Sequence, residues 1–193
     1  GNYSRSLVEG VSTLDESLDI HLYSPVEKKE EAVSWKKSHS QFRYIYPSSF
    51  SSLWRTFGLV KQLRHDSLDI YHGLSQELPI GVDKLDCVKL VTIHDLLYLR
   101  NPGHYSLIDR MTYKFKAKYA CDKADKVVAI CEQTKKDLVE YLKVDPLKIV
   151  VLYQSCGPQF SCEWARDDLE KLTLKYNLSE NYFLFVSAFE ENK

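Results

Sequence analysis

The chain has 193 residues, of which 44% are hydrophobic and 27% charged, and its formal net charge is −1. This is the composition of a globular protein with one good-sized domain, because two full domains need a longer chain. A net charge near zero gives no general attraction for nucleic acid, so we expect none as a partner. No apolar run approaches the roughly 18 residues that a membrane span requires.

The cysteines predict free thiols rather than a disulfide framework. Their number is odd and their spacing irregular, whereas disulfide-stabilised domains carry even sets at regular spacings. No two Cys-x-x-Cys pairs are present to hold zinc. We therefore expect a cytoplasmic protein without a metal site. The cysteines are Cys87, Cys121, Cys131, Cys156 and Cys162.

Strand-like and helix-like patterns alternate along the chain. Helical periodicity predicts a helix near the N-terminus and further helices at 50–63, 105–123, 131–143 and 164–178. Several predicted strands are apolar on both faces, which requires helices on either side of a mostly parallel sheet. The sequence thus predicts a doubly wound, Rossmann-like α/β fold. The strands are predicted at 19–23, 42–47, 69–74, 88–93, 126–130, 148–153 and 182–188.

Two dipeptides, each beginning with a histidine, stand at the ends of predicted strands; we call them the histidine pairs. His72-Gly73 closes the strand at 69–74, and His94-Asp95 follows the strand at 88–93. Ligands of such sheets bind beyond the carboxyl ends of the strands, so both pairs are expected at the binding edge. A carboxylate beside an imidazole can fix its tautomer and favour the protonated ring. The structural alternative is that His94 satisfies a loop carbonyl and Asp95 caps the turn.

The opening segment "GNYSR" is a second candidate binding element. A glycine directly before a helix lets the backbone approach a ligand closely, and the N-terminus of a helix favours anions. Gly1 and Asn2 are therefore expected to line a cleft.

Six segments, in this order, resemble the N-terminal half of a retaining glycosyltransferase of family 4, which has the GT-B architecture. In that family a Gly-rich loop and helix come first, followed by a His-Gly loop, a strand ending in His-Asp, and a strand-to-helix segment. The exit from the first domain and the first strand of the second domain complete the order. The segments here are "GNYSRSLVEGV", "DIYHGLSQELP", "VKLVTIHDL", "ADKVVAICEQTKKDL", "DPLKIVVLYQSCGPQF" and "NYFLFVSAFEENK".

The resemblance implies a role for each matching residue. His94 would be catalytic, close to the transferred sugar, and Lys193 would bind the donor. The donor would be a GDP- or UDP-sugar, with mannose the first choice, and the acceptor a glycan or a lipid-linked sugar. Such enzymes use no metal ion and need no cofactor beyond the nucleotide sugar. The residues expected to line the cleft or the acceptor side are Gly1, Asn2, His72, Gly73, Gln76 and Asp95.

The sequence departs from the family pattern in several places. The family carries Arg-Lys where this chain has Asn192-Lys193, and Ser where it has Cys131. These 193 residues contain no counterpart of the family's first strand or of most of its second domain, including that domain's acidic Glu-x7-Glu motif. We expect a fragment that is inactive alone, with a vacancy near the middle of its sheet. The predicted parts are a first domain at 1–160, a connecting helix and linker at 161–181, and the start of a donor-binding domain at 182–193.

Three further hypotheses stay open at this point. The strand at 182–188 could add to the first domain's sheet, which would protect an apolar edge. A GT-B-shaped sugar-nucleotide epimerase and a non-catalytic sugar- or nucleotide-binding module are the alternatives to a transferase. A lysine cluster either solvates its helix or gives the protein peripheral contact with an anionic membrane at its inner face. The lysines are Lys114, Lys116, Lys118, Lys123 and Lys126.

Overall fold

Helices and parallel strands alternate in the computed structural model, which describes residues 2–25, 42–47, 53–157, 160 and 162–185, apart from the side chain of Asn2. The chain divides into two compact units, Gly1–Gln154 and Ser155–Lys193. The strands are β1 (Ile20–Tyr23), β2 (Phe42–Ile45), β3 (Ile70–Gly73), β4 (Val88–Ile93), β5 (Lys126–Ala129) and β6 (Ile149–Val151). The helices are α1 (Asn2–Leu14), α2 (Leu59–Asp66), α3 (Leu97–Arg100), α4 (Leu107–Lys123), α5 (Glu132–Leu142) and α6 (Arg166–Tyr176).

Every described strand pair in the first unit is parallel. Strands β1 and β2 form one sheet, and the other four form a second sheet in the order β3-β4-β5-β6. Parallel neighbours need crossovers, and α3 with α4 connects β4 to β5 while α5 connects β5 to β6. The predicted α/β class with a parallel sheet is therefore confirmed.

The core lies between the larger sheet and its helices. Val91 and Ile93 of β4 and Val127 of β5 are fully buried, as the apolar strand runs predict. They share one apolar cluster with Leu138 of α5 and Ala120 of α4. Burial on this scale fixes the register of the strands, because a slip by one residue would turn apolar side chains to the wrong face. The ends of β3 and β4 are thereby held at defined positions.

A groove runs between the two sheets of the first unit. All four residues of β1 and all four of β3 line it, and its volume is about 680 Å³. Leu7, Val8 and Val11 of α1 and Leu59 of α2 also line this groove. In the described part of the chain, β1 has β2 as its one strand neighbour and β3 has β4 as its one neighbour. Both strands therefore present an edge without a strand partner to an apolar groove.

The second unit contains α6, whose described side chains are all exposed. The predicted strand at 182–188 is not formed over its described part, residues 182–185, and Phe183 there is fully exposed. The hypothesis that this segment adds to a sheet is wrong for these residues, and 186–188 lie outside the described residues. An apolar run needs a neighbouring strand to satisfy its backbone groups. The domain boundaries at 160 and 181 stay predictions.

Candidate functional site

The two histidine pairs emerge at the same edge of the larger sheet. Strand β3 ends at Gly73 and β4 ends at Ile93, and the two strands pair in parallel with Gly73 opposite Val91. His72 is therefore the next-to-last residue of β3, and His94 follows β4 directly. The carboxyl ends of parallel strands are where ligands bind in such sheets. This edge is the candidate site.

Gly73 is required by the close packing of the loop that follows β3. A Cβ atom at this position would lie 2.4 Å from the backbone oxygen of Glu77 and 2.8 Å from Cδ2 of Leu78. Backbone atoms cannot yield cheaply to such a contact, so a side chain here would displace the loop. Glycine thus lets residues 74–77 fold back over the end of β4.

The folded-back loop binds β4 through its backbone. The amide of Gln76 donates to the carbonyl oxygen of Thr92 at 3.2 Å, and Gln76 has a left-handed φ of 61°. A non-glycine residue adopts this conformation only when its surroundings impose it. Within the described part of the chain, the buried Oε1 atom of Gln76 has no hydrogen-bond partner. This oxygen is an unused acceptor, but a ligand hydroxyl can reach it only if the loop after β3 moves, because the atom is buried.

Thr92 joins three elements at the site. Its Oγ1 atom lies 3.0 Å from the hydroxyl of Tyr3 and 2.9 Å from Nε2 of His72. A threonine hydroxyl can donate one hydrogen bond and accept two, so one atom can serve both partners. Thr92 itself is fully buried. The hydroxyl therefore connects α1 to the ends of β3 and β4.

His72 is a neutral, structural imidazole at physiological pH. Its ring is largely buried, and burial lowers the pKa of His72 from 6.5 to about 4. Its Nε2 atom forms a hydrogen bond with the hydroxyl of Thr92 at 2.9 Å, which fits a neutral ring. His72 therefore holds the site together without supplying a positive charge. The acceptor-side role expected for it stays a prediction.

The ring of His94 is held from three sides. Its Nε2 donates to the carbonyl oxygen of Leu74 at 3.0 Å, and the side-chain amide of Gln154 lies 3.2 Å from its Nδ1. The ring of Tyr3 meets it edge to face, with 4.9 Å between the ring centres. The hydroxyl of Thr134 donates to the backbone oxygen of His94 at 2.9 Å. The imidazole is thus preorganised at the edge of the sheet.

Asp95 does not contact the imidazole beside it. Its Oδ1 atom accepts a hydrogen bond from the backbone amide of Leu97 at 3.2 Å, in the turn that leads into α3. Its side chain points into that turn and is exposed. The contacts are those of the structural alternative, in which His94 satisfies a loop carbonyl and Asp95 caps a turn. The catalytic and cleft-binding roles of His94 and Asp95 stay predictions.

The first turn of α5 packs behind His94. Cys131 occupies the residue before the helix, and its Sγ accepts a hydrogen bond from the amide of Thr134 at 3.5 Å. Hydrogen bonds from Thr134 lower the pKa of this thiol. A cysteine can therefore act here as the helix cap that serine provides in the family pattern.

Three of the expected site residues are not described in full. Gly1 and Lys193 lie outside the described residues, and Asn2 is described as the first residue of α1 without its side chain. Among the described residues, no three His, Cys, Asp or Glu side chains cluster as a metal would need. In the part of the chain that the structure describes, no helix is both long and apolar enough to cross a bilayer.

Sequence reasoning missed four residues that build the site. They are Tyr3, Leu74, Thr92 and Gln154, which contact His72 or His94 directly or through a shared hydroxyl. Thr92 could have been noticed as a polar residue in an otherwise apolar strand run. The others carry no local signal, because their partners lie at least 20 residues away in sequence.

Two solved structures share the fold of this chain. HepE (Alr3699) of Anabaena, whose crystal structure is a complex with UDP and glucose, matches 92% of the chain at 14% identity with a TM-score of 0.62. A glycosyltransferase of Rickettsia africae matches 92% at 18% identity with a TM-score of 0.55. The chain spans 47% and 46% of these proteins, about half of their length. No protein of curated function matches significantly.

The family-level match covers most of the chain. The sequence model of Glycosyltransferase Family 4 matches residues 4–155, from the first turn of α1 to just beyond β6. The two solved structures show the same fold, of the GT-B type, and the predicted resemblance is confirmed. The matched region contains His72, Thr92, His94 and Gln154 of the candidate site, and it begins one residue after Tyr3. The chain therefore belongs to Glycosyltransferase Family 4.

Proposed function

We propose that the complete protein transfers a sugar from a nucleotide-sugar donor to a glycan or lipid-linked acceptor, and that this chain supplies the acceptor-side domain. The position of His94 carries the proposal. It follows the strand that ends at the binding edge, inside the region that matches the transferase family. Its ring is fixed by Leu74 and Gln154, so it is oriented before any substrate arrives. We further propose that transfer proceeds with retention and without a metal ion.

The donor is proposed to be a UDP- or GDP-sugar. The complex of HepE with UDP and glucose supports a nucleotide sugar, since this chain matches that protein in fold. Mannose, which the family resemblance suggested first, is one candidate beside glucose. The groups that hold the diphosphate belong, in this proposal, to a second domain.

The polar groups at the edge suit sugar hydroxyls better than a diphosphate. Oε1 of Gln76 is an acceptor without a partner among the described residues, and the ring of His94 has its Nδ1 atom on the exposed side. His72 is neutral because of its burial. Neutral hydrogen-bonding groups recognise hydroxyls, whereas a diphosphate needs cations or helix N-termini. The first turns of α1 and α5 also reach this edge. The side chains, rather than these helix ends, support assigning the edge to the sugar and the acceptor.

The carboxylates near the edge do not favour the epimerase alternative. Asp95 is bonded to the turn at Leu97. Glu77 forms ion pairs with Arg55 at 3.0 Å and with Lys116 at 2.9 Å. An epimerase would need carboxylates that are available to the sugar ring. The non-catalytic binding module is distinguished from a transferase by experiment.

The test measures release of nucleoside diphosphate by the complete protein. The assay supplies one donor at a time, with and without EDTA: GDP-mannose, UDP-glucose or UDP-N-acetylglucosamine. The variant His94→Ala is compared with His104→Ala, which changes an exposed histidine outside the site. We expect release from one donor, unaffected by EDTA, and reduced at least tenfold in His94→Ala alone. Equal activity in both variants would assign His94 to structure. Release from none of the donors with a panel of glycan and lipid-linked acceptors would favour the binding module.

We also propose that α4 makes peripheral contact with an anionic membrane surface on the cytoplasmic side. Four large apolar side chains share one face of this helix and are exposed: Leu107 by 71%, Ile108 by 77%, Met111 by 74% and Phe115 by 63%. An exposed apolar stripe of this kind marks an interaction surface. The helix carries five cationic and two acidic residues, which favours anionic headgroups.

The lysines contribute less to this proposal than their number suggests. Lys116 pairs with Glu77, Lys118 with Asp122, and Lys123 with Asp83. Lys126 donates to the carbonyl oxygen of Leu147. Lys114 forms no ion pair with any described residue. The apolar stripe, more than the lysine cluster, therefore supports contact with a membrane.

A further inference from the structure

The hydrogen bonds of His94 define which ring nitrogen carries the proton. The carbonyl oxygen of Leu74, 3.0 Å from Nε2, can only accept a hydrogen bond. Nε2 therefore carries the hydrogen, and in the neutral ring Nδ1 keeps a free electron pair. The nitrogen of the Gln154 side-chain amide lies 3.2 Å from Nδ1 and donates to it. Both contacts agree on the same tautomer.

The two ring nitrogens differ in their accessibility. The contact between Nε2 and Leu74 is partly buried beneath the loop that follows β3, whereas the contact between Nδ1 and Gln154 is exposed. Gln154 itself has an exposed side chain. A ligand can reach Nδ1 by displacing one exposed amide, while reaching Nε2 requires the loop to move. Nδ1 is the nitrogen that a substrate meets.

We propose that Gln154 is a positioning residue, which holds the His94 ring with Nδ1 on the exposed side until a hydroxyl of the sugar substrate displaces the Gln154 amide and donates to Nδ1 in its place. This inference rests on the proposed function. The Gln154 amide occupies the place of that hydroxyl until the substrate arrives, because both groups donate to the same electron pair. A phosphate oxygen cannot bind the free electron pair of Nδ1 in this way, since it has no hydrogen to donate. Gln154 follows β6 by three residues, so the sheet sets its position.

Three variants separate positioning from a general structural role. Gln154→Leu removes the donor at similar size. Gln154→Glu replaces it with an acceptor, which favours a ring protonated on both nitrogens. Tyr153→Phe changes the neighbouring exposed residue and is the control. Nitrogen-15 NMR of His94, assigned by comparison with His94→Ala, reports the protonation of each ring nitrogen directly.

In the wild-type chain we expect a hydrogen on Nε2, bonded to the carbonyl oxygen of Leu74, and an Nδ1 that accepts from the Gln154 amide. Gln154→Leu should shift the Nδ1 signal towards that of an unbonded nitrogen and leave Nε2 unchanged, because Leu74 still binds it. In the complete protein, this variant should gain about three- to tenfold in kcat/KM, the value of the one hydrogen bond that the substrate hydroxyl no longer has to displace from Nδ1. Gln154→Glu should move the acidic limb of the pH–rate profile to higher pH. Tyr153→Phe should change none of these.

A hydrogen on Nδ1 in the wild type, or an Nδ1 signal that is the same in Gln154→Leu, would overturn the inference. An unchanged kcat/KM and pH profile in both Gln154 variants would overturn it as well. The NMR signals do not depend on activity. If they behave as expected while the complete protein transfers no sugar, the proposed function fails and the contact between Gln154 and His94 stands.

Discussion

The hydroxyl of Tyr3 lies 3.0 Å from Oγ1 of Thr92, although the two residues are 89 positions apart in sequence. The contact joins the first turn of α1 to the end of β4. Oγ1 of Thr92 also binds His72 at 2.9 Å. This pair of contacts holds the helix against the edge where both histidines emerge. The site is therefore assembled by partly buried hydrogen bonds between distant parts of the chain.

The contact between Tyr3 and Thr92 predicts a measurable coupling energy. Thr92→Val should lower the free energy of unfolding by about 1–3 kcal/mol, because it leaves Tyr3 and His72 without their buried partner. Tyr3→Phe should lower the free energy of unfolding by about 1 kcal/mol in the wild-type background, and by much less in the Thr92→Val background. Urea unfolding of the four chains of this double-mutant cycle gives the coupling. The same cycle with Tyr153→Phe should show none, and equal coupling in both cycles would contradict the contact.

Alanine substitutions at two glycines should have opposite effects. Gly73→Ala places a Cβ atom 2.4 Å from a backbone oxygen and should destabilise the fold by about 1–3 kcal/mol. Gly10→Ala meets nothing within 4 Å inside α1 and should stabilise it by about 0.5–1 kcal/mol. Urea unfolding measures both changes. A neutral Gly73→Ala variant would show that the loop after β3 does not need this close approach.

The depressed pKa of His72 makes stability depend on pH. Burial lowers this pKa from 6.5 to about 4, so the unfolded chain binds a proton in this interval that the folded chain does not. The contribution of His72 is present above pH 6.5 and is lost as the pH falls towards 4. His72→Gln should therefore flatten the fall in unfolding free energy over this interval, by up to about 3 kcal/mol. His104→Gln should leave the pH dependence of the unfolding free energy unchanged. The same pH dependence in the wild type, His72→Gln and His104→Gln would refute a buried, neutral His72 ring.

The groove between β1 and β3 should accept an added parallel strand. Each of these strands presents an edge without a strand partner to a groove of about 680 Å³. A six-residue apolar strand with a short glycine-containing loop, fused before Gly1, should raise Tm by several degrees and protect the amides of β1 and β3 from hydrogen exchange. The same fusion with proline at alternate positions lacks the backbone N–H groups that would bond to a neighbouring strand. It should neither raise Tm nor protect the amides of β1 and β3. Equal protection in both fusions would exclude strand addition.

The apolar face of α4 should determine binding to lipid vesicles. Replacing both Ile108 and Phe115 by glutamate should reduce binding to phosphatidylserine-containing vesicles at least tenfold, since each buried apolar side chain contributes about 1.5–3 kcal/mol. Leu147→Glu changes an equally exposed leucine outside α4 and should have no effect. Flotation at low salt measures the bound fraction. Absence of the wild-type chain from the floated lipid would reject contact with the membrane through this helix.

The local sequence predicted much of the fold because apolar periodicity directly reflects burial. Strand β4 ends at Ile93, where the predicted run of 88–93 ends, and α4 ends at Lys123 as predicted. The same reasoning failed at 182–185, where an apolar run forms no strand. A strand needs a neighbour to satisfy its backbone, and the pattern of side chains does not contain that neighbour.

The sequence by itself determined that His72 and His94 emerge at one edge, because parallel strands with apolar runs must end on the same side of their sheet. It also determined that Gly73 stands where the chain turns. Only the tertiary structure decided what these residues contact. The backbone turn directs Asp95 to Leu97 and away from His94, while the fold brings Leu74 and Gln154 to the imidazole. Hydrogen bonds depend on distances of a few tenths of an ångström between distant segments, and no local pattern of residues encodes those distances.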